Sequence, residues 1–244
     1  MGADGQPIPF SDAQIGGRSV GVPGVLRALE MAHQQHGKLP WSDLFQPAIK
    51  LASEGFPVSQ RLHTQIAADK FIAGSPEMAK YFLTPQGQAL PVGTLLKNPE
   101  LARTLQAIAS RGADAFYQGA VAQAMVDKVR SHPSAGTLSL ADISSYRAKE
   151  RSPVCGDYKQ WQVCGMPPPS SGGVAVIQTL GILEALQNKS PALDLATMPP
   201  VLSSTGAGFE PSPSAVHLIA EAERLAYADR AQYLADSDFV PVNV

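Results

Sequence analysis

Apolar residues recur at helical spacing along most of the chain, and proline, glycine and small polar residues stand where helices start and stop. Val25, Leu26 and Leu29 follow Pro23, with Gly37 as the expected left-handed terminator. Ser42 opens a second run through Phe45, Ala48, Ile49 and Leu51 to Gly55. Pro47 lies inside that run, and because proline lacks an amide donor and crowds the preceding turn, two short helices or one bent helix are expected. A third run covers 59–72 with Leu62, Ile66 and Ala67 and stops at Gly74, after which Ser75-Pro76 supplies a cap and a first helical position. Asn98-Pro99 repeats that device before Leu101, Leu105 and Ile108, with Gly112 as the stop. An amphipathic stretch over 120–129 ends by Pro133, and Ser139-Leu140-Ala141-Asp142 has the form of a capping box opening a short helix.

At Arg151 the period changes. Val154, Gly156 and Tyr158, then Trp161, Val163 and Gly165, predict a hairpin turning at Lys159-Gln160. In that register, paired residue numbers sum to 319, so Cys155 faces Cys164 at a non-hydrogen-bonded pair with Cα atoms about 4.5 Å apart. Either a disulfide or two small facing thiols fits that geometry. The run Met166-Pro167-Pro168-Pro169-Ser170-Ser171-Gly172-Gly173 is neither helix nor central strand. Beyond it, Val174, Ile177, Leu180, Ile182 and Leu183 form a strongly apolar helix. Residues 190–213 read as a long flexible loop. A last helix opens near Ser212-Pro213, carries Val216, Ile219, Ala222, Leu225 and Ala226, and ends before Asp236.

Composition narrows what such a helical chain does. With 44% apolar and 16% charged residues in 244, global disorder is not expected. A net charge of −2 gives no basic field for a nucleic-acid backbone or an anionic membrane, and no apolar run reaches membrane-spanning length. Met1-Gly2 does not read as a myristoylation signal, because Gln6 stands where Ser or Thr is needed. Two cysteines build neither a disulfide scaffold nor a four-thiolate zinc site. His33 and His36 share a helix but supply too few ligands for a metal, so a solvated helix end is the expectation. Glu221, Glu223, Arg224, Asp229 and Arg230 read as a charged outer face rather than acid–base machinery. Ser170 and Ser171 lack the nucleophile-elbow pattern. With Gly172 and Gly173 they resemble an anion nest at a helix start, or a tight turn feeding a helix.

Four segments carry a resemblance: Gly-Gly-Arg-Ser-Val-Gly-Val-Pro-Gly-Val (16–25), Lys-Leu-Pro-Trp-Ser-Asp-Leu-Phe-Gln-Pro-Ala-Ile-Lys-Leu-Ala-Ser-Glu-Gly-Phe (38–56), Met-Pro-Pro-Pro-Ser-Ser-Gly-Gly (166–173) and His-Leu-Ile-Ala-Glu-Ala-Glu-Arg-Leu-Ala-Tyr-Ala-Asp-Arg (217–230). In order and spacing they resemble the large subunit of γ-glutamyltranspeptidases, across nearly the whole chain. The resemblance implies an α+β fold: a predominantly helical fragment with a strand hairpin, part of the αββα sandwich of an N-terminal nucleophile hydrolase. It also implies a self-cleaving precursor whose freed threonine attacks the γ-glutamyl carbonyl of glutathione or a related amide, its own α-amine serving as base. Water, an amino acid or a peptide then takes the acyl group, and no cofactor or metal is called for. The family is largely periplasmic, secreted or at the cell surface.

In the family the nucleophile opens the small subunit in a Thr-Thr-His type motif, and an arginine that clamps the substrate carboxylate precedes the segment matching Ala3-Asp4-Gly5-Gln6-Pro7. Neither feature is present, so no catalytic residue carries over. Residues 1–244 read as a single fragment of a longer precursor, with the small subunit and the precursor's N-terminal part as expected partners. Alone, the chain is expected to be inactive, to expose strand edges and to associate. The only site bet is a wall formed by Ser170, Ser171, Gly172 and Gly173. Two other readings stand beside it: a non-catalytic helical binding module, and a fragment of a related acylase or poly-γ-glutamate depolymerase.

Overall fold

The computed structural model describes residues 5–6, 8–14, 16–202 and 209–242. These are α+β, mostly helical, and divide into two compact units, Met1–Lys149 and Glu150–Val244.

In the first unit, α1 (Phe10–Gln14) precedes α2 (Val25–His36) and α3 (Trp41–Glu54). Gly37 is extended at φ −66° rather than left-handed, since the chain runs straight on to Pro40, while its amide still bonds to the His33 carbonyl at 2.7 Å. α3 is one helix that continues through Pro47. β1 (Phe56–Pro57) comes next, then α4 (Gln60–Ala68), capped by the Ser59 hydroxyl. This helix stops short of Ile72 because the Asp69 carboxylate accepts from the amides of Phe71 (2.7 Å) and Ile72 (3.0 Å), drawing the chain into a turn. α5 (Pro76–Phe82) leads to β2 (Leu95–Leu96), which pairs antiparallel with β1, a contact too short to show any periodicity.

α6 (Pro99–Arg111) packs along α3, with the Trp41 indole donating to the Ile108 carbonyl at 3.1 Å. α7 (Asp114–Tyr117), α8 (Gly119–Ser131) and α9 (Leu140–Ser145) complete the unit. Their core joins Ala113, Tyr117, Ala122, Val126, Val129, Leu138 and Ile143. Tyr117 is fully buried, and burial pushes its phenol pKa up. Its hydroxyl donates to the Pro23 carbonyl at 2.5 Å and accepts from the Arg27 amide at 3.3 Å, so the only polar atom of the side chain is satisfied. The Arg27 guanidinium lies 4.5 Å from the Tyr117 ring centre and reaches Glu30 and Asp114. Ser139 and Asp142 form the expected capping box.

The second unit opens with β3 (Val154–Tyr158) and β4 (Trp161–Gly165), in the register Tyr158–Trp161 through Cys155–Cys164 to Val154–Gly165. Lys159 takes the left-handed conformation at φ 54°, as such a turn requires. Its amide donates to Glu184 at 2.9 Å, and its ammonium pairs with Asp194 at 3.2 Å. α10 (Gly172–Lys189) and α11 (Pro213–Tyr233) pack on each other, and α10 also packs on the hairpin. Between the two helices lie single helical turns at 191–193 and 195–197, and the two-residue strands β5 (Val201–Leu202) and β6 (Phe209–Glu210). No sheet among the described residues exceeds two strands.

Candidate functional site

The hairpin alternates except at Trp161, which faces Tyr158 next to the turn and is exposed. Val154, Gly156, Tyr158, Val163 and Gly165 are half-buried, whereas Cys155, Asp157, Gln162 and Cys164 are exposed on the other face. The inner face seats α10 by glycine contact. A Cβ on Gly173 would lie 2.5 Å from the Met166 carbonyl oxygen and 2.7 Å from the Gly165 carbonyl carbon, and one on Gly156 would overlap Ile177 Cγ2. Glycine at 173 therefore lets helix and strand approach at backbone distance, and glycine at 156 makes room for the Ile177 side chain. On the outer face, Cys155 and Cys164 are joined as a disulfide with Cα atoms 4.1 Å apart.

The four residues of the predicted Ser-Ser-Gly-Gly turn lie at the start of α10, after a cis bond between Pro168 and Pro169. Ser171 is the N-cap residue, yet its hydroxyl caps no amide of the helix. It accepts instead from Arg230 Nε at 2.8 Å. Nearly two turns into α10, Gln178 hydrogen-bonds Asp229, the neighbour of Arg230, so α11 holds the first half of α10 at two points. Ser170 turns back on the loop: its amide donates to the Pro167 carbonyl at 3.1 Å and its hydroxyl accepts from the Gly172 amide at 3.4 Å. The result is a helix N-terminus whose N-cap hydroxyl bonds no helix amide and whose first amide, that of Gly172, meets the Ser170 hydroxyl, with the Arg230 guanidinium beside it. The helix dipole and the cation favour negative charge at the same place.

Alongside runs a largely apolar cleft of about 380 Å³, lined by Gly172, Ala175, Thr179, Leu183, Leu195, Ile219 and Tyr227, with the Glu223 carboxylate at its edge. Asp194, close to this wall, is held below the ordinary carboxylate range by the Ala196 amide and by Lys159.

Arg230, 59 residues from Ser171, is the member sequence reasoning missed. It stands among charges spaced as an outer face, and nothing local marks its partner. Asp229 and Glu223 of that face likewise meet α10 and the cleft, whereas Glu221 and Arg224 behave as expected, pairing at 2.6 Å one turn apart. His33 donates to the Leu39 carbonyl at 2.8 Å and lies edge-on to Trp41, away from any metal-ligating set among the described residues. In the first unit, the charged cleft at Arg27, Glu30, Asp114 and Arg147 is occupied by its own ion pairs and by bonds from Arg147 to the carbonyls of Ser144 and Tyr146.

A family model described as Gamma-glutamyltranspeptidase matches residues 2–244. The chain is 35% identical over 223 residues to the glutathione hydrolase proenzyme of Escherichia coli K12, covering 91% of this chain and 35% of the relative. It is 38% identical over 233 residues to the acylase ACY 1 proenzyme of Pseudomonas sp. strain V22, covering 94% of this chain and 38% of that one. A crystal structure of Helicobacter pylori gamma-glutamyltranspeptidase superposes with a TM-score of 0.81 at 33% identity, covering 99% of this chain and 64% of that one. The chain thus spans little more than a third of the length of these curated relatives.

Proposed function

The chain belongs to the γ-glutamyltranspeptidase family, and from that premise we propose that it forms the middle and C-terminal part of the large subunit of a γ-glutamyl acyl-transfer enzyme cleaving glutathione or a related γ-glutamyl amide. The observation that carries this is the family match along the whole chain, and the anion-favouring start of α10 supports it. Ser170, Ser171, Gly172 and Gly173 then form part of one wall, where the N-terminal end of α10 and the guanidinium of Arg230 favour a negatively charged group of the substrate. The attacking threonine and the arginine that clamps the substrate carboxylate come from outside residues 1–244, which contain no Thr-Thr pair. Its partners are accordingly the small subunit and the N-terminal part of its own precursor. The exposed cross-strand disulfide supports a periplasmic, secreted or cell-surface location, because such bonds persist in oxidising compartments.

A second reading keeps the fold and changes the amide. Identity to the acylase is as high as to the glutathione hydrolase, so a related acylase fits the same observations. Release of a chromogenic amine from a γ-glutamyl anilide, run beside a β-lactam side-chain amide, separates the two for the protein encoded by the complete reading frame. The 244-residue chain alone is expected to turn over neither, since no acyl-enzyme forms without an attacking group. Turnover that scales with the concentration of this chain alone would refute the assignment. So would a reading frame that stops after Val244, which favours a non-catalytic binding module.

A further inference from the structure

We propose that the Cys155–Cys164 disulfide is a thiol-exchange site for small thiols of the glutathione class, and that opening it loosens the seat of α10. Both cysteines are exposed on the outer face of the hairpin, so a thiolate has a solvent route to the sulfurs. The thiolate attacks one Sγ, forming a mixed disulfide while the other cysteine leaves as a thiolate. The chain holds no further cysteine to resolve that intermediate, so a second small thiol attacks it. Two thiols are oxidised to one small disulfide, and the protein disulfide takes up two electrons and two protons to become a dithiol. The function proposed above bears only on which thiol arrives: glutathione is itself a thiol, so the site meets its reactant wherever the substrate is present.

Position along the hairpin determines the consequence. The tip is held independently, through the Lys159 amide on Glu184 and its ammonium on Asp194. The bond sits at the other end, one pair from the open edge where Val154 faces Gly165. Gly165 is the residue against which Gly173 of the first turn of α10 is seated. A two-stranded hairpin is marginal by itself. Once the covalent link is gone, nothing bonded across the strands holds the open end except the ladder, so fraying begins at Gly165 and reaches the Ser-Ser-Gly-Gly turn.

The test uses the folded full-length protein, incubated with glutathione or 2-mercaptoethanol, quenched by alkylation and mapped by peptide mass spectrometry, with amide hydrogen exchange in parallel. Expected are a glutathione adduct on Cys155 or Cys164, absent from the Cys155→Ser/Cys164→Ser variant, and a several-fold rise in exchange over 163–174 with no change at Lys159. Modification seen only after denaturation, reaction with 2-mercaptoethanol but never with glutathione, or equal loosening of tip and open end would each overturn the proposal. Neither readout requires turnover. A protein that takes up glutathione here but cleaves no γ-glutamyl amide refutes the function and keeps the site, and the reverse result refutes the site alone.

Discussion

Gly173 and Asp142 show how single atoms set local structure. Gly173→Ala places a methyl 2.5 Å from the Met166 carbonyl oxygen, a backbone atom that yields only if strand and helix separate. A loss of about 1–3 kcal/mol in chemical denaturation is expected, with faster exchange in the first turn of α10. Arg230→Ala removes a long exposed side chain and one bond to Ser171, so it should leave the global midpoint nearly unchanged and speed exchange only at 170–175. Asp142 behaves differently. Its carboxylate accepts from the Ser139 hydroxyl at 2.7 Å and the Ser139 amide at 2.9 Å, which hold its pKa below the ordinary carboxylate value. The unfolded chain therefore binds this proton first as pH falls. The stabilisation is complete above the unfolded value of about 4 and is lost as pH drops through the lower folded value. Asp142→Asn should flatten that part of the acid limb, and an unchanged limb in pH-dependent denaturation would exclude the mechanism.

Among the elements, Tyr117 binds α7 to the segment before α2, and its substitutions separate packing from hydrogen bonding. Tyr117→Ala should cost about 3–5 kcal/mol by emptying a fully buried ring site. Tyr117→Phe keeps the ring and leaves the Pro23 carbonyl without its donor, for about 1–3 kcal/mol, so urea midpoints that fall equally would contradict this account. Elements of this kind were legible where the signal is local. Asn98-Pro99 and Gly112 bracket α6, Ser139 and Asp142 open α9, and the alternation around Lys159-Gln160 fixes the hairpin register to the residue. The misses have two causes: a partner distant in sequence, and a side chain competing for backbone. Asp69 captures two amides and ends α4 early, α7 is four residues long, and β1–β2 is a two-residue pairing. The site follows the same rule. Its serines and glycines stand together in the sequence, whereas the arginine that holds Ser171 is visible only once α11 lies beside α10.

At the scale of the molecule, α10 is rich in apolar residues, of which Gly173, Ala175 and Leu183 are buried and most others only half-buried. Val176, Val216, Leu225 and Tyr227 are exposed on the same two helices. Exposed apolar side chains on a packed helix pair are what a part of a larger assembly presents, in keeping with a chain that spans little more than a third of its curated relatives. The anchoring of Lys159 also bears on proteolysis. A hairpin tip with an exposed lysine is ordinarily where a trypsin-like enzyme nicks a fold, because it must draw the scissile bond into an extended strand. Here the backbone amide of that lysine is held by Glu184 and its ammonium by Asp194, whereas 146–153 lies in no helix or strand and carries Arg147, Lys149 and Arg151, whose side chains are bonded too, Arg151 to Asp238 at 2.8 Å. Limited digestion should therefore cut first within 147–151, at the boundary between the two compact units, and leave the hairpin whole, whereas a first cut after Lys159 would show that its two anchors do not hold in solution.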